Sequence, residues 1–189
     1  MHYDYIFGPV VSGRLGRSLG LDLLGAKICT FDCLYCEVGP SRRTHILRKD
    51  YVPAQEILAE LLRWKEEHGT DLDHVTLGGS GEPCLNRDLG KIIRGAREVF
   101  PDTRIAVLTN GSLLHVPEVV QDLKAADVVL PSLDSVMESE YQRLNQPHSD
   151  LKLSRIMEAL CSFRQGFTGI LALEVLLCLA DLFPPDQLF

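Results

Sequence analysis

The sequence lacks a long apolar run, a clear excess of basic residues and any internal repeat. No stretch reaches the roughly 18–20 uninterrupted apolar residues that cross a bilayer, and the first residues lack the basic and apolar regions of a secretion signal. We therefore expect a cytoplasmic protein without a membrane partner. Residues 1–50 hold seven Lys/Arg against five Asp/Glu, and the net charge is −7. That basic excess is too small to predict nucleic-acid binding.

The six cysteines of this 189-residue chain predict metal ligands or buried thiols, because a chain without a secretion signal is expected in a compartment that keeps thiols reduced. A hydrophobic fraction of 46% is enough for one core, so we expect a single domain over residues 1–189. Within it, residues 1–50 form an N-terminal segment with a cysteine loop, residues 51–178 form β-α units, and residues 179–189 form an atypical tail.

Short β-branched runs alternate with segments of helical spacing, which predicts an α/β fold with parallel strands. The predicted strands are Leu19 to Leu24, His74 to Leu77, Ile105 to Leu108, Val128 to Leu130 and Ile170 to Leu177. The predicted helices are one from Pro53 to Gly69 burying Ile57, Leu58, Leu61 and Leu62, one capped by Asn86, one from Pro117 to Leu123, and one over residues 151–165. In such folds the ligand site lies at the carboxyl ends of the strands.

Cys29, Cys33 and Cys36 place three thiols within eight residues. One loop could therefore bind three corners of a cubic iron-sulfur cluster and leave the fourth iron open to a ligand, whereas an electron-transfer cubane takes four cysteines. A structural zinc site needs a fourth Cys or His at matching spacing. The remaining cysteines, Cys84, Cys161 and Cys178, are isolated in the sequence, so zinc and unliganded thiols are the lesser alternatives.

The C-x3-C-x2-C spacing, with Tyr35 just before the last cysteine, resembles the signature of the radical S-adenosylmethionine (SAM) superfamily. The resemblance runs from about Tyr5 to Val175. The segment from Gly8 to Gly20 is similar to the opening of a prokaryotic Fe-S oxidoreductase subgroup, distantly related to wyosine-type tRNA-modifying enzymes. The resemblance implies a partial (β/α) barrel, a [4Fe-4S] cluster, SAM, and an electron donor such as flavodoxin or ferredoxin.

That resemblance also implies the reaction. The reduced cluster passes one electron to SAM, and the resulting 5′-deoxyadenosyl radical abstracts hydrogen from a substrate that the sequence does not reveal. The distant relationship makes RNA a candidate substrate, although the acidic balance argues against broad capture of a polyanion. A sugar-phosphate barrel enzyme would need phosphate-binding glycines late in the chain, and these are absent.

A glycine-rich loop directly follows the predicted strand that ends at Leu77. Its glycines let the backbone approach a ligand closely. The loop resembles the superfamily motif that contacts the amino group of SAM, which implies that Gly78, Gly79 and Glu82 hold the methionyl moiety. The alternative is an ordinary loop that ends in a proline turn.

Short polar side chains follow the next two predicted strands. Asn110 lies where SAM or the substrate is expected, and Ser132 and Asp134 are candidates for the ribose hydroxyls. The alternative is that all three bond their own backbone as turn residues. By analogy with the family Tyr35 stacks near the adenine, or it shields the cluster.

Charged residues near the loop and in the last strand carry a weaker signal. Glu174 lies in an apolar strand, where an unpaired carboxylate is costly, so it either faces a cavity or forms a salt bridge. The arginines that flank the cysteine loop could bind an anionic substrate group or lie on a solvated surface. They are Arg14, Arg17, Arg42 and Arg43.

The last residues depart from the resemblance. A radical SAM core usually has six β-α units, whereas this sequence ends just after the fifth predicted strand, and Pro184 and Pro185 cannot continue a helix. We therefore expect the last unit to be missing, with a truncated gene as one explanation. The rival function is a non-catalytic iron-sulfur or metal-binding module that folds without turning SAM over.

Overall fold

The computed structural model describes residues 2–41 and 43–176, whose centre is one six-stranded sheet. The strands lie side by side in chain order, the first pair antiparallel and each later pair parallel. They are β1 (Ile6–Ser12), β2 (Gly16–Asp22), β3 (His74–Gly78), β4 (Arg104–Thr109), β5 (Val128–Pro131) and β6 (Ile170–Leu171). The predicted α/β fold with parallel strands is confirmed.

The helices lie between the strands along the chain. They are α1 (Ala54–His68), α2 (Leu89–Val99), α3 (Pro117–Leu123), α4 (Glu138–Asn145) and α5 (Leu153–Gly166), and a 3₁₀ turn spans Pro83–Leu85. Pro53 precedes the first residue of α1, and Gly69 ends the helix with a φ of 81° that glycine adopts at little cost. Pro117 occupies the first turn of α3, where its missing N–H is not needed.

The main core lies between one face of the sheet and the helices. Alternate strand residues point into it, as expected where a sheet buries one face against helices. The fully buried members of this core include Leu19, Leu21, Val75, Leu77, Ile105 and Val107 from the strands and Ile57, Leu61, Ile92 and Ile93 from the helices. This layer fixes the positions of the strand ends that carry the candidate site.

The opposite face of the sheet carries smaller or polar side chains. The hydroxyls of Ser18 and Thr76 pair across β2 and β3 at 2.5 Å, and Ala106 and Val128 form a small apolar cluster with Leu15. This face lines an open cavity of about 930 Å³ that reaches the loops at the carboxyl ends of the strands. The sheet therefore forms the predicted partial barrel, with five parallel strands among the described residues.

Two elements were missing from the sequence prediction. Strand β1 contains Gly8 and Pro9, which are tolerated because β1 is an edge strand with much of its length exposed. Helix α4 was not predicted, because it is mostly polar and buries only Tyr141, Leu144 and Asn145. Those three residues have the i, i+3, i+4 spacing of one helix face, which is the signal that was overlooked.

Three details of the prediction were wrong. Asp88, not Asn86, is the residue before α2, and the Asn86 amide instead donates to the backbone oxygens of Leu23 and Val52 at 2.8 and 2.9 Å. Leu62 is exposed. Strand β6 ends at Leu171, and Glu174 forms only an isolated bridge with Ser132. Leu177 and the predicted tail lie outside the described residues, and the single-domain division stays a prediction.

Candidate functional site

The cysteine loop lies between β2 and α1, at the carboxyl end of the sheet. Backbone hydrogen bonds anchor it to the end of α4, because the N–H groups of Asp32 and Leu34 donate to the carbonyls of Asn145 and Leu144 at 3.0 and 2.9 Å. Phe31 also forms an isolated bridge with Pro147. The helix that the sequence prediction missed is therefore the element that supports the loop.

The three cysteines are free thiols, each half-buried. Burial raises the pKa of the Cys29 thiol to about 12 and also raises the pKa of Cys33. In residues 2–41 and 43–176, no group of three or more His, Cys, Asp or Glu side chains is arranged to hold a metal ion. Their predicted role as cluster ligands therefore stays a prediction.

Each of these sulfur atoms has a side-chain nitrogen donor, one from earlier in the same loop and two from outside it. The Asn110 amide lies 3.5 Å from the Cys29 sulfur, the Asn145 amide lies 3.5 Å from that of Cys33, and the Lys27 ammonium lies 2.7 Å from that of Cys36. Sequence reasoning missed Lys27 and Asn145, because nothing in their spacing marks them as neighbours of the cysteines. Donors of this kind suit thiolates that carry negative charge.

The other cysteines do not complete this set in the described part of the chain. Cys84 is buried in the core, with its sulfur 3.5 Å from the Thr109 hydroxyl. Cys161 is exposed on α5. Cys178 lies outside the described residues.

The glycine-rich loop leaves the end of β3 and packs directly against the cysteine loop. Gly79 has a φ of 120°, which side chains rarely adopt. A Cβ on Gly81 would lie 1.9 Å from the carbonyl oxygen of Ile28, and the next residue, Glu82, donates its N–H to that same oxygen at 3.0 Å. Gly81 is thus the residue that permits the two loops to touch, and the sequence prediction had singled out Gly78 and Gly79 instead.

Glu82 links the glycine-rich loop to the turn after β4. Its carboxylate is only 2% exposed and accepts hydrogen bonds from the Thr109 hydroxyl and the Asn110 N–H, both at 2.7 Å, and from the Cys84 N–H at 3.1 Å. Burial raises its pKa above the ordinary value. These three hydrogen bonds join the loops after β3 and β4, and the predicted contact of Glu82 with an ammonium stays a prediction.

Asn110 lies between the glycine-rich loop and the cysteine loop. Its side-chain amide donates to the Thr30 hydroxyl at 2.7 Å as well as to Cys29, and its side-chain oxygen accepts the N–H of Ser112 at 3.1 Å. The structure therefore shows the turn contact that was the alternative for this residue, together with a contact to the cysteine loop that was not predicted.

Tyr35, Asp134 and Asn145 form a second network beside the cysteines. The Tyr35 hydroxyl and the Asn145 amide both donate to the Asp134 carboxylate, the latter at 2.7 Å. Tyr35, Ser132, Asp134 and Gly79 also line the 930 Å³ cavity, as does Cys36. The structure thus brings five of the predicted residues to one cavity wall, while their contacts to a cofactor stay predictions.

Glu174 also lines this cavity, and it forms an ion pair with Arg14. Both alternatives for Glu174 are therefore seen at once. Arg17 pairs with Asp71 on an exposed surface, Arg43 is exposed, and Arg42 lies outside the described residues. Arg14 also lines the cavity, and an anion-binding role for these arginines stays a prediction.

No helix in residues 2–41 and 43–176 is both long and apolar enough to cross a membrane. The family model of the radical SAM superfamily matches residues 24–173. This segment includes the cysteine loop, the glycine-rich loop and all the predicted site residues.

Curated relatives agree with that match. A UPF0026 protein of Synechocystis is 36% identical over 92% of this chain and 64% of its own length, and one of Methanocaldococcus jannaschii is 35% identical over 90% and 53%. A protein named GTPase Obg from Brachyspira hyodysenteriae is 38% identical over 91% of this chain but only 25% of its own length. The chain thus spans 64% or less of the length of these relatives.

Solved structures share the fold. A structure of TYW1 with a lysine-pyruvate adduct bound has a TM-score of 0.58 at 16% identity, covering 84% of this chain and 55% of that one. Streptococcus suis SuiB bound to S-adenosylmethionine also has a TM-score of 0.58 at 16% identity, covering 89% and 37%.

Proposed function

The chain belongs to the radical SAM superfamily, and from this premise we propose that it binds a [4Fe-4S] cluster through Cys29, Cys33 and Cys36 and cleaves SAM reductively. The observation that carries the proposal is the donor arrangement at the cysteine loop. Three half-buried thiols lie at the carboxyl end of a parallel sheet, each beside a nitrogen donor. Burial raises the pKa of Cys29 and Cys33, and the nitrogen donors offset part of this effect by stabilising the thiolate forms that bind iron.

Cys29, Cys33 and Cys36 would hold the cluster, which when reduced would supply one electron for cleavage of SAM to methionine and a 5′-deoxyadenosyl radical able to take a hydrogen atom from the substrate. The protein residues bind and orient these partners. Three cysteines leave one iron for the amino and carboxylate groups of SAM. Tyr35, Ser132 and Asp134 line the cavity, which supports the proposal that they contact the adenosyl part of SAM.

Glu82 and Gly81 serve this site indirectly. The Glu82 carboxylate joins the turn at Asn110 to the glycine-rich loop, and Gly81 lets that loop lie against Ile28, the residue before Cys29. We infer that this contact holds Gly78 and Gly79 at the distance from the cluster that the methionyl part of SAM requires.

The electron donor, the location and the substrate class are proposed from the resemblance to the superfamily. We propose an external one-electron donor of the flavodoxin or ferredoxin type, and a cytoplasmic location. RNA is retained as a candidate substrate only through the predicted distant relationship. We do not propose GTPase activity for this chain. The match covers only a quarter of the protein named GTPase Obg, and this sequence has no G-x-x-x-x-G-K-[ST] phosphate loop.

Anaerobic reconstitution with iron and sulfide, followed by electron paramagnetic resonance (EPR) of the reduced protein with and without SAM, tests the proposal. We expect a [4Fe-4S]⁺ signal that changes on adding SAM, and formation of 5′-deoxyadenosine. Cys29→Ala, Cys33→Ala and Cys36→Ala should each abolish both, whereas Cys161→Ala, on the exposed face of α5, should retain both. A stable cluster whose EPR spectrum does not change when SAM is added would favour the non-catalytic module.

A further inference from the structure

The nitrogen donors at the three cysteine sulfurs come from separate parts of the fold. Lys27 lies in the loop after β2, Asn110 lies in the turn after β4, and Asn145 is the last residue of α4. Each reaches a different sulfur: Lys27 that of Cys36, Asn110 that of Cys29 and Asn145 that of Cys33. One donor for each of the three sulfurs is a pattern that local sequence cannot produce.

Neighbouring groups fix the orientation of both amides. The N–H of Ser112 donates to the side-chain oxygen of Asn110, so the nitrogen of that amide must face Thr30 and Cys29. The Asp134 carboxylate can only accept when ionised, so the nitrogen of Asn145 must face it, and the same nitrogen lies beside Cys33. Asn145 is also only 3% exposed, so its contacts with Asp134 and Cys33 are shielded from water.

Resting on the proposed function, we propose that Lys27, Asn110 and Asn145 are positioning residues that each donate to one ligating thiolate and together raise the reduction potential of the cluster. Reduction adds one negative charge to the cluster and its thiolates. A donor on a sulfur stabilises the more negative state more than the oxidised one, so each donor makes the cluster easier to reduce. This matters for an enzyme whose first step is delivery of an electron.

Lys27 gives the cleanest test, because it is only half-buried and its ammonium contacts the sulfur most closely. Lys27→Met removes the donor and the charge, whereas Lys27→Gln keeps an N–H donor and removes the charge. Lys124→Met, on the exposed residue after α3, removes the same charge away from the loop and is the matched control. Asn110→Leu and Asn145→Leu then test the two other sulfurs.

The measurement is a potentiometric titration of the reconstituted cluster, followed by EPR without SAM, with iron and sulfide content determined for each variant. We expect Lys27→Met to lower the equilibrium constant for reduction about tenfold, which is about 59 mV for one electron. Lys27→Gln should show a smaller shift and Lys124→Met none. Each Asn variant that retains its cluster should also shift to more negative potential.

The inference would be overturned if the wild-type protein, Lys27→Met and Lys27→Gln had the same reduction potential at full iron content. It would also be overturned if both Lys27 variants shifted the potential by the same amount, since the lost charge alone would then explain the shift. This experiment distinguishes failure of the inference from failure of the proposed function. A wild-type cluster whose potential responds to the variants but which never cleaves SAM supports the inference and refutes the proposed reaction. A wild-type chain that binds no cluster refutes both.

Discussion

The backbone N–H of Asn110 donates to the buried carboxylate of Glu82 at 2.7 Å. This contact links the glycine-rich loop after β3 to the turn after β4, and Asn110 in turn lies beside Cys29. The geometry of the cysteine loop thus depends on Glu82 in two ways, through Asn110 and through the Glu82 N–H, which donates to the Ile28 carbonyl oxygen at 3.0 Å. This dependence leads to the first two predictions.

Glu82 should make the stability of the folded chain depend on pH. Burial raises its pKa in the folded state, so ionisation favours unfolding. The wild-type protein should therefore lose stability relative to Glu82→Gln as pH rises from the ordinary pKa through the raised one, at up to about 1.4 kcal/mol per pH unit. Urea denaturation between pH 4 and 8 measures the difference. Glu66→Gln, an exposed control, should show no such trend, and a constant Glu82→Gln difference would contradict the prediction.

Gly81→Ala should prevent the two loops from packing together. The added Cβ would lie 1.9 Å from the Ile28 carbonyl oxygen, a backbone atom that cannot move without shifting the cysteine loop. We expect a loss of about 1–3 kcal/mol in unfolding free energy and a lower iron content after reconstitution. Gly13→Ala is the matched control, because nothing lies within 4 Å of its added Cβ. Full stability and iron content in Gly81→Ala would show that the loops do not touch as described.

Tyr141→Phe should stabilise the chain or leave it unchanged. The Tyr141 hydroxyl is buried and has no hydrogen-bond partner among the described residues, while its ring packs edge-on against Phe31 at 5.6 Å. Removing an unsatisfied buried hydroxyl recovers up to about 1–3 kcal/mol and keeps the ring contact. Thermal and urea denaturation should show the gain. Tyr5→Phe, whose hydroxyl donates to Glu56 at 2.9 Å, should not gain stability. A clearly destabilised Tyr141→Phe would mean that the hydroxyl has a partner.

Arg48→Met should cost far more stability than the loss of an exposed ion pair. Arg48 pairs with Asp122 at 2.8 Å, with side chains only 14% and 20% exposed, and it also donates to the backbone oxygens of Cys84 and Asn86. We expect a loss of about 2–4 kcal/mol. Arg17→Met breaks the exposed pair with Asp71 and should cost less than about 1 kcal/mol. Equal losses in urea denaturation would contradict this ranking.

Most of the regular structure could be predicted from short stretches of sequence. Pro53 and Gly69 mark the ends of α1, and the predicted bounds of α3 match the structure. These signals are local, because a proline or glycine acts on the backbone within a few residues. The polar helix α4 was missed because most of its residues are polar, and part of its buried face, at Tyr141, packs against Phe31 of the cysteine loop.

The sequence by itself determined the cysteine spacing, the alternation of β2 to β6 with every helix except α4, and the placement of polar residues after the strands. Only the tertiary structure decided that Glu82 is buried, that Gly81 carries the close approach, and that Asn145 reaches Cys33 across 112 positions. The physical reason is that parallel pairing brings the carboxyl ends of distant strands together. Which side chains then meet depends on register and on the loops, which no local pattern specifies.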